Sequence, residues 1–202
     1  MKLLFNLYSA FIGFFYILLF GPPIVRARTC DVAFTYRMGA GFPGDVNRTH
    51  PFSVLPGLTN TTTPPRAYGD PVFVNTADNT YRGAVSGDNN ATAAAIAGVL
   101  VRPYPTQQQS GGMSASLGAA VPPTSGVLDV LRDGYIMVKL PAGRTVTKNG
   151  TPFLWCAASA SGNIQGQLME AASAGNTLPV SNARFTGPAD ANGNAELEVW
   201  AA

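Results

Sequence analysis

The feature that most limits what this chain can fold into is its punctuation. From Val32 onward, apolar stretches of four to eight residues alternate with clusters of Gly, Pro, Asn and Asp. The clearest stretches are Ala33–Arg37, Pro71–Asn75, Ala95–Arg102, Val127–Leu131, Tyr135–Leu140, Pro152–Ala157, Ile164–Met169 and Ala195–Trp200. Between them stand Asp133-Gly134, Asn149-Gly150, Ser161-Gly162 and Asn192-Gly193-Asn194, residues that accept the positive φ of tight reversals. Strand-length runs at such spacing predict an all-β protein, an antiparallel β-sandwich or barrel. Helix is scarce: Ala91–Ala97 is the one stretch with room for about two turns.

Two segments sharpen this expectation. Gly126–Leu140 reads as a hairpin turning at Arg132-Asp133-Gly134, its β-branched flanks suited to a pleated surface. Ala195–Trp200 alternates, so Leu197 and Val199 should share one face while Glu196, Glu198 and Trp200 share the other. Two long stretches read as irregular arms: Gly39–Tyr68, with Pro43, Pro51, Pro56, Pro64 and Pro65, and Pro103–Thr124, rich in Gln, Ser, Gly and Pro. Long connections of this kind in a compact domain usually bind something or stay unstructured.

Residues 3–20 stand apart as an almost continuous apolar run. Such a run is just long enough to span hydrocarbon, and it also has the look of a secretion signal. Three readings stand side by side for residues 1–31. A signal peptide has Lys2 and an apolar region, but no Ala-x-Ala site follows. A membrane anchor would put the body on the cytoplasmic side, since Arg26 and Arg28 outweigh Lys2. In the third reading the working protein starts at Val32, a codon that could be GTG, and the segment is no part of it. The domain expectation is therefore a hydrophobic segment, 1–31, and a single β domain, 32–202, with membrane association only if residues 1–30 are retained.

Charge narrows the function. Charged residues make up 12% of the chain, about half the roughly 25% of an ordinary soluble domain. Without residues 1–31 the body holds ten basic and ten acidic residues and is neutral. Its cations are scattered singly, with no stripe to meet phosphates, which argues against direct nucleic-acid binding. One histidine, His50, and two cysteines, Cys30 and Cys156, offer no metal-ligand cluster. Cys156 sits in the apolar run Phe153–Ala157 and reads as a buried, inert thiol.

Motifs for catalysis are weak. Gly39-Ala40-Gly41-Phe42-Pro43-Gly44 matches G-x-G-x-x-G, but Pro43 interrupts it and no helix follows to meet a pyrophosphate. His50 precedes Pro51 and reads as a loop hydrogen-bonder. Asp129 and Asp133 flank Arg132, and Glu196 and Glu198 share a strand face; both pairs read as solvated carboxylates. No catalytic residue, cofactor or metal is expected, and the chain does not read as an enzyme.

The order of several blocks does carry a likeness. Val32–Pro51, Tyr68-Gly69-Asp70-Pro71-Val72-Phe73-Val74-Asn75, Gly98–Gln107 and Val130–Val138 together resemble the structural cement proteins of tailed bacteriophage heads. The resemblance implies a non-enzymatic decoration protein with a jelly-roll-like β-sandwich, long Pro/Gly-rich loops and small symmetric homo-oligomers. It would sit on the outer face of the virion capsid, assembled in the host cytoplasm, and clamp neighbouring major capsid protein subunits. The Gly39–Pro65 arm is then the expected shell contact, with Phe42 as apolar anchor and Arg37 and Arg48 as charged partners. The alternative is a membrane-anchored or secreted β-domain such as an adhesin.

Overall fold

The computed structural model describes residues 41–48, 52–88, 94–103 and 121–201, all within one compact unit, Met38–Ala202. The hydrophobic segment, Arg37, His50, Cys30 and most of the Pro103–Thr124 arm lie outside the described residues. No α-helix occurs among those described. Their strands are β1 (Ser53–Leu58), β2 (Pro71–Asn75), β3 (Thr80–Arg82), β4 (Gly98–Leu100), β5 (Val127–Lys139), β6 (Phe153–Trp155), β7 (Leu168–Met169), β8 (Thr177–Pro179), β9 (Ala183–Phe185) and β10 (Asn194–Val199). Every strand pairing is antiparallel.

The fold is organised by β5. The expected hairpin does not form: Val127–Lys139 is one strand of 13 residues. Gly134, with φ +130°, bends the strand where a reversal was expected. A glycine inside a strand marks a bulge or bend as readily as a turn. The register confirms a bulge, because Ser53 pairs with Asp133 and Val54 with Leu131, which leaves Arg132 without a residue opposite it on β1. Before the bulge β5 is flanked by β1 and β4; after it, by β10.

Part of the expected irregular arm proves to be paired with the sheet. Gly44 N–H donates to Met137 O (2.8 Å), Met137 N–H to Asp45 O (2.9 Å) and Asn47 N–H to Tyr135 O (3.1 Å). With β1 this makes Gly44–Asn47 and Ser53–Leu58 run antiparallel to one edge of β5 along most of its length. The prolines permit it. Pro43 is in a turn and Pro56 in a strand at the sheet margin, positions where a missing N–H is tolerated.

Strands β1, β5, β4, β2 and β3 close on themselves, with Asn60 N–H donating to Tyr81 O (2.8 Å) and Thr59 bridging to Tyr81. Around this small ring Val72, Leu100, Leu128 and Val130 form one buried cluster, covered by Tyr68 and Tyr81. The larger cluster joins Leu131, Ile136 and Val138 of β5 and Leu197 and Val199 of β10 to Leu154, Leu168 and Leu178 of the three-stranded sheet β7-β6-β8. The two antiparallel sheets thus share one core, as expected for an all-β protein. Ala94–Ala97, the described part of the expected helix, is not helical. Asn182 explains why: its Oδ1 accepts from Ile96 N–H (2.9 Å) and its Nδ2 donates to Ile96 O (3.0 Å), holding that residue as a strand neighbour would. Tertiary pairing overrides the alanine preference for helix.

Candidate functional site

Phe42 opens a tight turn. Asp45 N–H donates to Phe42 O (3.0 Å), Pro43 occupies the second position, and Gly44 takes φ +90° in the third, the pattern of a type II turn. This accounts for the G-x-G-x-x-G match without any phosphate: an extended strand follows the turn, with no helix N-terminus. The Asp45 carboxylate accepts from Phe42 N–H (3.0 Å) and so locks the turn. Phe42 remains 44% exposed, its ring resting on the Arg102 guanidinium at 5.2 Å. Arg102 is itself buried, stacks on Tyr68 at 5.8 Å and donates from Nε to Pro43 O (3.2 Å). A buried cation therefore braces an exposed aromatic ring.

Beyond Phe42 lies a cleft of about 550 Å³ whose lining includes Ile164, Leu140, Gln167, Arg66 and Asp70. Asp70 accepts from Arg66 (3.2 Å) and from Ala67 N–H (3.1 Å). Burial pushes its carboxyl up to about 7, and the neighbouring Arg66 pulls against that rise only in part.

Arg48, expected as a charged partner for the shell, is held within the chain by Glu196. It donates through Nε to Glu196 (3.0 Å) and through Nη2 to the other carboxylate oxygen, and its guanidinium covers the Tyr135 ring at 4.2 Å. Glu198 accepts from Tyr135 Oη (3.1 Å) and from Arg184, which lies over Trp200 at 5.9 Å. Glu196 and Glu198 share a face as the alternation predicts, but they are half-buried and ion-paired. Burial works to raise Glu196, yet the bonds from Arg48 and Thr186 outweigh it and hold the carboxyl below its ordinary range. Arg184 does the same to Glu198. Cys156 is buried, and its thiol is pushed up to about 11 by burial, leaving little thiolate at neutral pH. No group of metal-ligating side chains occurs among the described residues.

Phe42 and Arg48 are thus placed at the two ends of the same turn-and-strand segment, while Arg37 lies outside the described residues. Sequence reasoning did not find Arg102, Tyr68 or Ile164 as neighbours of Phe42. They come from distant parts of the chain, and no local pattern joins them.

A family model described as the XM1 gp53 minor capsid protein matches residues 32–199. The chain belongs to that family. As a minor capsid protein it is a structural component of a virion, placed in the capsid. Among solved structures, the fold resembles a chain from the capsid of Myoviridae phage XM1, with a TM-score of 0.57 and 18% identity. The likeness covers 81% of this chain and 92% of that one. No curated protein matches the sequence.

Proposed function

We propose that this minor capsid protein is a non-enzymatic cement protein. It binds the outer surface of the capsid and stabilises contacts between major capsid protein subunits, acting as a small homo-oligomer. The observation that carries the reading is that four large apolar side chains on the segments beside β5 stay exposed: Phe42, Phe52 (54%), Leu55 and Leu58 (59%). A rigid, hydrogen-bonded strand that exposes large apolar groups is suited to docking on protein, because little ordering entropy is lost. Phe42 is the apolar anchor, and Arg48 and Arg37 are its charged partners. Arg48 keeps half of its side chain accessible while Glu196 holds it.

The family match from residue 32 supports taking 32–202 as the working β body, with residues 1–31 outside it. The test adds purified protein to heads assembled without it. Stoichiometric binding and a raised head-disruption temperature are expected. Heads that take up none of it would overturn the proposal.

A further inference from the structure

A second cleft, of about 380 Å³, opens beside the bulge in β5 and is lined by Phe73, Val74, Tyr81, Arg82 and Ala95–Ala97 together with Arg132. Its walls are largely apolar and its two cations differ sharply. Arg82 is neutralised by a two-pronged bond to Asp88 (2.9 and 3.0 Å) and lies over the Phe73 ring at 4.9 Å. Arg132 forms no ion pair with any carboxylate among the described residues.

Asp129 and Asp133 flank Arg132 in the sequence, yet neither is ion-paired with it. Asp129 is the register partner of Pro56, on the face that Leu131 shares, while Arg132 stands at the unmatched position of the bulge and lines the cleft. Bulges commonly re-aim one side chain out of the regular alternation. The result is a guanidinium with no carboxylate partner among the described residues, set over an apolar floor, with Val74 exposed beside it.

We propose that this cleft is a docking site for an acidic side chain of the neighbouring shell subunit. Arg132 would pair with an Asp or Glu carboxylate whose flanking apolar residues fill the space over Phe73, Ile96 and Ala97. Charge complementarity selects the occupant: a planar guanidinium with no carboxylate partner among the described residues matches a carboxylate in two-pronged fashion, and the apolar walls screen that pair from water. This inference rests on the cement reading and adds the chemistry of one contact to it.

The experiment measures binding of wild-type, Arg132→Gln, Arg132→Lys and Lys148→Glu proteins to heads lacking this chain, at low and high salt. Lys148 is exposed and outside the cleft lining, so it reports on net charge alone. Arg132→Gln should melt like wild type, since Arg132 has no internal ion pair to lose, yet bind on the order of tenfold or more weakly. Arg132→Lys should recover part of the affinity, Lys148→Glu should lose little, and the gap between wild type and Arg132→Gln should narrow at high salt. Equal binding by Arg132→Gln and wild type would overturn the inference while leaving the cement reading intact. So would loss of self-association by Arg132→Gln with head binding unchanged, because the carboxylate would then belong to a second copy. Failure of wild-type protein to bind heads would instead remove the cement reading, and this inference with it.

Discussion

Asn182 shows how much can depend on one amide. It is buried, satisfies both backbone groups of Ile96 and also donates to Trp200 O at 2.9 Å. Replacing it with Ala leaves a buried N–H and C=O without partners, and each such group costs roughly 1–3 kcal/mol. Denaturant unfolding of Asn182→Ala should therefore show a loss of about 2–4 kcal/mol. Phe42 is the opposite kind of residue, exposed and braced from beneath. Phe42→Ala should leave the melting temperature of the free protein nearly unchanged and lower its occupancy on heads. The sequence offers Phe42 only through the family resemblance, as the expected apolar anchor of the Gly39–Pro65 arm. It does not reach Asn182, whose Ser-Asn-Ala context looks like any turn and whose partner is 86 positions away.

At the level of elements, the closed ring depends on a close approach. A Cβ on Gly57 would lie 2.1 Å from Tyr81 Cε2, so the tyrosine ring covers the backbone of β1 directly. Gly57→Ala should displace that ring and cost about 1–3 kcal/mol by overpacking, read as a lower denaturant midpoint. The strands legible in the sequence were those buried on at least one face. Pro71–Asn75 and the alternating Ala195–Trp200 fall on β2 and β10 nearly residue for residue. The Gly126–Leu140 hairpin was misread because Asp-Gly signals positive φ, and positive φ serves a bend as well as a reversal. β1 was hidden by its one proline, Pro56, and the short strands β3, β8 and β9 carry too few residues for any period to show.

For the whole molecule, the carboxylates set an expected pH profile. Asp70 has a folded value of about 7, against about 3.9 in an unfolded chain. The folded state therefore takes up this proton first, so the Asp70 contribution grows as pH falls from about 8 toward 4 and is lost as pH rises through about 7. Glu196 and Glu198 are held below their ordinary range, so their contribution is present above that range and lost as pH falls beneath it. Thermal melts should accordingly be highest in mildly acidic buffer. Asp70→Asn should flatten the slope between about pH 4 and 8, the window set by Asp70 titration.

Because the outer segment is bonded lengthwise along β5, and β5 belongs to the ring on one side of its bulge and to the larger core on the other, a tug on that segment does not peel it bond by bond. The load is borne in shear by many hydrogen bonds at once and passes into both cores. A fastener made this way resists being pulled off a stretching shell far better than it resists being unzipped from one end, and single-molecule pulling along the two directions should register that anisotropy.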